Sequence, residues 1–287
     1  MKQKPHRLLA MGFSERRTYM RKLYPLGKRK AFNITYDDGV MQDGRFVTLL
    51  NRYGLKGTFN LNSHLMAEKF TWVHPNGMNV TRMSREEIGN LYDGHEIASH
   101  TLTHPYMSSL SREELLYQMG QDRENLENLF DREVKGFAVP FSYYSGLIAD
   151  CARECGFEYA RMSEFAESYD PCTDWYYWKT GFYHIKPGLT DFVAGFLNTD
   201  RELAVCQIVG HSYDLDAENL WGTLELICAA VSAQADVWRC TNLELVRYLK
   251  AMEKLDMTDD GIRNGSDREL WIEKDGKVLC LRPGESA

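Results

Sequence analysis

The chain has 287 residues, 44% hydrophobic and 26% charged, with a formal net charge of -7, which fits a globular chain long enough to bury a continuous core. An acidic balance speaks against docking on phosphate backbones or anionic membranes, and no apolar run approaches the ~20 residues of a membrane span, so neither nucleic acid nor a membrane is an expected partner. The seven cysteines are odd in number and scattered, which reads as small buried side chains in a reducing, cytoplasmic setting and not as a disulfide framework.

Residues 1–10 (MKQKPHRLLA) lack the apolar core and small-residue cleavage site of a secretory signal. Residues 31–36 (AFNITY) read as a strand, followed by a helical face of Phe46, Leu49, Leu50 and Tyr53 that Gly54 closes. Residues 57–62 (GTFNLN) are the next strand. Ser84 and Glu87 form a capping box ahead of Ile88, Leu91 and Tyr92, and 96–99 (EIAS) is a short strand. A second box at Ser111 opens a long amphipathic helix through Leu115, Met119, Leu126, Leu129 and Phe130. Residues 136–139 form a strand that Pro140 stops, residues 145–155 a helix that Gly156 ends, and 157–160 another strand. Residues 205–209 (VCQIV) read as a buried strand, followed by a helix with Leu224, Ile227, Cys228 and Val231. Val237 and Trp238 mark a last core strand, and Thr241 with Glu244 cap a final helix.

This alternation implies parallel strands with helices outside, about seven units in all, close to a closed (β/α) barrel. Residues 162–198 are rich in aromatics and turn formers, fit the alternation poorly, and read as an active-site insertion. After Asp259 the pattern changes to a β-hairpin around Asp275-Gly276. The expected organisation is an N-terminal extension over 1–30, a catalytic barrel over 31–255 and a small C-terminal β appendage over 256–287.

Three polar clusters fall at predicted strand ends, the places where a parallel barrel gathers its chemistry. Asp37 and Asp38 leave the first strand side by side, an awkward pair unless a cation or a proton lies between them. His100 and His104 follow EIAS four residues apart; on a helical turn they would face one way and grip one metal. His211 follows VCQIV. Each cluster alone has a plainer structural explanation. Together, one carboxylate and two imidazoles make a ligand set for zinc or a similar divalent ion, a second carboxylate can take a proton from water, and a further histidine can protonate a leaving group.

The motifs T-Y-D-D-G, S-H-T-L-T-H-P, A-V-P-F and I-V-G-H-S, in that order, resemble those of the polysaccharide deacetylases, carbohydrate esterase family 4 or NodB-homology domain, over about residues 31–249. The resemblance implies a distorted (β/α) barrel and hydrolysis of N- or O-linked acetyl groups from a carbohydrate by water activated on one divalent ion: Zn²⁺, with Co²⁺, Ni²⁺ and Mn²⁺ as alternatives. It implies Asp38, His100 and His104 as ligands, Asp37 as general base, His211 as general acid, and the N–H of Phe141 as an oxyanion donor. The family places an arginine two residues before the proline to orient the base; this chain has Ala138 there, and Arg161 is a candidate substitute. For the carboxylate behind His211, Asp170 and Asp174 compete with Asp214 and Asp216. Tyr143, Tyr144 and Trp175 are candidate sugar-stacking residues, with a hydrophobic lid or core as the alternative. Hydrolysis of a non-sugar amide, and a non-catalytic glycan-binding relative, stay open as rival functions.

Overall fold

The described residues of this computed structural model are 20–66, 71–258 and 261–287, so residues 1–19 of the expected N-terminal extension lie outside them. β1 (Met20–Leu23) leads to β2 (Lys30–Asp37), which is buried along its whole length. Alternation gives β2 two faces. Phe32, Ile34 and Tyr36 join the main apolar cluster with Phe46, Val47 and Leu50 of α1 (Asp43–Arg52). Asn33, Thr35 and Asp37 point the other way, into a polar barrel interior where they bond to Asn242 and Asn60. β3 (Gly57–Leu61) continues the sheet. An arm of two short antiparallel strands, β4 (Thr71–Val73) and β5 (Asn79–Thr81), follows, then α2 (Arg85–Ile88), β6 (Glu96–Ser99) and α3 (Arg112–Phe130). The second half comprises β7 (Gly136–Ala138), α4 (Gly146–Glu154), β8 (Tyr159–Phe165), β9 (Trp178–Thr180), β10 (Phe182–Tyr183), α5 (Leu189–Asn198) and β11 (Ala204–Gly210). It ends with α6 (Ser212–Ala217), α7 (Trp221–Ser232), β12 (Val237–Arg239) and α8 (Asn242–Met252). The boxes read from Ser84, Ser111 and Thr241 all form, each hydroxyl accepting from the backbone N–H three residues on while the glutamate accepts from the cap's own N–H.

The large sheet runs β10-β11-β2-β3-β6-β7-β8-β9, parallel throughout, with β12 beside the first half of β2. Its two ends are consecutive pieces of chain. β9 pairs with β8, Gly181 bends, and β10 pairs with β11, so one kinked segment completes a distorted barrel. A Cβ on Gly181 would sit 2.3 Å from the carbonyl oxygen of Gln207; only glycine lets the kink come that close. Residues 162–198 are therefore not an insertion. They hold the end of β8, the kinked β9–β10 stave and α5, disguised because the stave changes partners after three residues and never shows a full alternating run.

Beyond α8, β13 (Leu255–Thr258) and β14 (Gly261–Asn264) pair antiparallel, and β15 (Leu270–Lys274) and β16 (Lys277–Leu281) form the expected hairpin. Asp275 and Gly276 at its tip have φ of 50° and 77°, the left-handed pair that a two-residue turn demands. β1 adds to the free edge of β15, a pairing between distant ends of the chain that no local pattern announces. Ile262, Ile272 and Leu281 fill the small core beneath. Among the described residues, no helix is long and apolar enough to cross a membrane.

Candidate active site

The strand ends of the parallel sheet deliver Asp37, Asp38, His100, His104 and His211 to one cavity of about 420 Å³, which Phe141, Phe165, Tyr183 and Tyr213 also line. Asp37 is the last residue of β2. Asp38 turns out of the strand at φ 84°, its N–H donating to the Asn60 carbonyl at 3.0 Å. His100 leaves β6 with its N–H on the Leu61 carbonyl at 2.8 Å. The expectation that His100 and His104 share a helical turn does not hold. Thr101 and His104 have φ of 69° and 54°, and the segment is an irregular loop that folds back to set the two rings 4.8 Å apart. Phe141, after β7 and Pro140, is held at φ 53°. Non-glycine backbone in this region is strained, and its concentration here marks the loops as over-determined by their surroundings.

One donor atom each from Asp38, His100 and His104 lies within 4.8 Å of the others. Their protonation states suit a cation. His100 Nδ1 is 2.8 Å from the Ala138 carbonyl, which only accepts, so Nδ1 carries the proton and Nε2 presents a lone pair to the cavity. Burial keeps both rings neutral, His100 falling to about 4 and His104 also lowered, despite the aspartates beside them. Burial pushes Asp38 up, but Arg82 and the surrounding imidazoles more than reverse this and keep it ionised. Two neutral imidazoles and a carboxylate are the state and the donor set that zinc and its neighbours take, so these residues fit a divalent ion.

Asp37 sits beside this trio, its Oδ2 4.0 Å from His100 Nε2. Its Oδ1 accepts from Arg161 and, at 2.7 Å, from Asn60 Nδ2. Burial would raise its pKa, but Arg161 first, then His100 and His211, bring it down to about 2. Arg161 is the direct register partner of Ala138 on the adjacent strand. The guanidinium thus reaches Asp37 from the neighbouring stave, across the space a methyl side chain leaves open. Arg161 is 0% exposed, and its Nε and Nη1 find no acceptor among the described residues. A fold gains nothing from burying such a group for its own sake, and the ion pair with Asp37 is what the position provides.

Across the cavity, His211 Nε2 is 3.9 Å from Asp38 Oδ2, while Nδ1 donates to Asp214 Oδ2 at 3.0 Å. Burial works against the charged ring, but Asp214 and then the two aspartates of the first motif outweigh it and raise His211 to about 9. Asp214, not Asp170, Asp174 or Asp216, fills this role: Asp170 pairs with Arg201, Asp174 caps the Tyr176 N–H, and Asp216 accepts from Trp221 Nε1. The same Asp214 oxygen accepts from Tyr183 at 2.9 Å and from His184 Nε2 at 3.2 Å. Burial keeps His184 neutral, so its Nδ1 accepts in turn from Tyr36, 2.6 Å away. His184, Asn60 and Arg82 escaped the sequence reading. Asn60 left a trace, as a polar residue alternating with Phe59 and Leu61; Arg82 left none.

The expected sugar-stacking residues do not line this cavity. Trp175 is buried at the other end of the barrel against Trp178, in a cluster with Tyr159, Tyr24 and Leu245, because its segment runs under the strands and not over their tips. Tyr143 is exposed nearby, and Tyr144 leans on Tyr177. The rings at the rim are Phe141 and Tyr106, stacked at 4.0 Å and both exposed, with His104 edge-on to Phe141 at 4.6 Å.

Comparison with known proteins agrees with this geometry. Residues 26–160 match the polysaccharide deacetylase family model. The uncharacterized protein YlxY of Bacillus subtilis (strain 168) is 26% identical over 110 residues, 38% of this chain and 30% of its own length, so this chain matches less than a third of that relative. The fold is shared with a candidate polysaccharide deacetylase from Mycobacterium smegmatis (TM-score 0.57, 16% identity, 81% of this chain and 94% of that one). It is also shared with a point mutant of the peptidoglycan deacetylase PdaC of Bacillus subtilis (TM-score 0.50, 16% identity, 78% and 94%). A third fold neighbour is a mutant of BA3943 from Bacillus anthracis, described as a family 4 carbohydrate esterase pseudoenzyme with restored enzymatic activity (TM-score 0.50, 16% identity, 79% and 70%). The polysaccharide deacetylase signature thus occupies residues 26–160, in a chain whose fold is that of carbohydrate esterase family 4.

Proposed function

We propose that this chain is a metal-dependent hydrolase that removes N- or O-linked acetyl groups from a carbohydrate, with Asp38, His100 and His104 holding one divalent ion, zinc by preference. The observation that carries it is the meeting of five acid–base and donor side chains from three distant strand ends around one cavity. When bound, such an ion supplies Lewis acidity to a carbonyl and to water. Asp37 acts as the base. With Oδ1 committed to Arg161 and Asn60, Oδ2 is the oxygen left to take a proton. His211, kept protonated at neutral pH and aimed by Asp214, gives a proton to the departing nitrogen or oxygen. The N–H of Phe141 steadies the negative oxygen that develops on the acetyl group. The Tyr106–Phe141 stack at the rim offers a face for a sugar ring.

The Arg161–Asp37 ion pair supports the catalytic reading over a non-catalytic glycan binder, because Asp37 has an arginine partner although residue 138 is alanine. Seven unpaired cysteines, four of them buried, support a reducing compartment. Because one fold neighbour is described as a pseudoenzyme, turnover is the deciding measurement. The zinc-loaded chain should release acetate from N-acetylated chito-oligosaccharides or O-acetylated xylo-oligosaccharides, and Asp37→Asn should abolish that release while zinc stays bound. Stoichiometric zinc without acetate from either substrate class would overturn the proposal.

A further inference from the structure

Arg82 follows β5 on the arm, outside every barrel strand, yet it is only 7% exposed. Its guanidinium lies 5.2 Å from the centre of the Trp72 ring. Nη2 donates to Asp38 Oδ1 at 2.7 Å, and Nη1 donates to Asn62 Oδ1 at 2.9 Å and to the Asp38 carbonyl at 3.3 Å. Asn62 Nδ2 then donates to the carbonyls of His100 and Thr101. A continuous chain of hydrogen bonds therefore joins the Asp38 turn to the loop that carries both imidazoles. These are the same two loops whose backbones are strained at Asp38, Thr101 and His104. The arm does not need the side chain for anchorage: the Met41 N–H donates to the Thr81 carbonyl at 3.0 Å and the Met83 N–H to the Gly39 carbonyl at 2.9 Å.

We infer that Arg82, acting through Asn62, is a positioning residue for the cation site, presetting the Asp38 carboxylate against His100 and His104 before the ion arrives. This rests on those three residues being the ligand set proposed above. Two effects of Arg82 oppose one another. Its positive charge repels a dication, while its hydrogen bonds hold the carboxylate in place. Partners that orient a ligand typically contribute 10–100-fold to metal affinity. Here the guanidinium spans two loops and not one, so positioning outweighs repulsion.

The test is zinc titration by calorimetry on the full chain after chelator treatment, with urea unfolding of the metal-free protein measured alongside. Arg82→Met should weaken zinc binding by about 10–100-fold. Arg82→Lys keeps the charge but replaces the planar fork with a compact ammonium on a flexible stem, and should fall between. Asn62→Ala should weaken binding in the same direction, and the double variant Arg82→Met/Asn62→Ala should bind no more weakly than Arg82→Met, because the two act as one brace. Zinc affinities within about twofold of the parent, with only the urea midpoints lowered, would mean a purely structural role and would overturn the inference; so would tighter binding. If Arg82→Met does not fold, Arg82→Lys and Asn62→Ala decide by the same criterion. A parent chain that takes up no zinc would instead sink the ligand assignment, and this inference with it.

Discussion

Asp37 and Arg161 are 4% and 0% exposed, so their ion pair can be dissected by unfolding the metal-free protein, without reference to any substrate. Removing one member of a buried pair strands the other charge and costs about 3–5 kcal/mol. Arg161→Met leaves Asp37 with Asn60 as its remaining hydrogen-bond donor. Asp37→Asn leaves a guanidinium whose Nε and Nη1 already lack acceptors among the described residues. Each single variant should therefore lose about 3–5 kcal/mol, read from urea transitions by linear extrapolation. The double variant strands nothing and should recover about 2–3 kcal/mol relative to the sum. Ala138→Arg placed in the Arg161→Met background should restore much of the loss, because residue 138 is the register partner of residue 161 and opens on the same interior. Turnover adds a ceiling: a residue that acts only through Asp37 cannot matter more than Asp37, so Arg161→Met should reduce kcat no further than Asp37→Asn does. Single-variant losses that sum to the double within about 0.5 kcal/mol would show that the two groups are not coupled and refute the reasoning.

Three further outcomes follow from the structure. His211 is raised to about 9, so its protonated form is fully populated below its ordinary pKa and lost as pH climbs through about 9; Asp214→Asn removes the main support, and the alkaline limb of kcat/KM should move toward neutral pH. An unmoved limb would deny His211 the role of acid. Burial raises Asp43 to about 7, with Ser212 and Tyr92 donating to it, so the folded state holds a proton that the unfolded state has released; this contribution is present below about pH 4 and is lost as pH rises through about 7. The stability of the parent chain relative to Asp43→Asn should decline across that window, whereas a constant difference would mean that Asp43 does not titrate there. Gly181→Ala must displace the Gln207 carbonyl and should cost about 3 kcal/mol, visible as a lowered melting temperature; an unchanged melting temperature would refute the close approach.

The parts of the site that lie on strand tips were legible in the sequence because a parallel barrel converts position along a strand into position in space. Asp37, Asp38, His100 and His211 needed only that rule. Arg161 was legible for a related reason, since one unit of βαβ repeat brings it level with Ala138. His104 reached the right place by the wrong route, through left-handed loop backbone and not a helical turn. Arg82 was not legible, because the β4–β5 arm is too short for any periodicity and its burial is decided by the turn it lies on. Trp175 misled because an aromatic-rich stretch looks the same whether it lines a glycan cleft or floors a barrel. The stave at Gly181 was hidden by its own kink, and the β1–β15 pairing by the length of chain between its partners.

That kinked stave has thermodynamic consequences beyond closure. β10 is held to β11 over two residues, and the β8–β9 ladder slips register between Arg161 and Phe165, so this seam has few hydrogen bonds to break when the barrel breathes. Tyr183 and His184 ride on it, and both donate to Asp214. Any excursion that unzips the seam withdraws two of the three hydrogens that quiet that carboxylate, and any molecule that grips Tyr183 slows amide exchange along the whole stave. Local opening of the wall and the acidity of His211 are thus linked quantities, each measurable through the other.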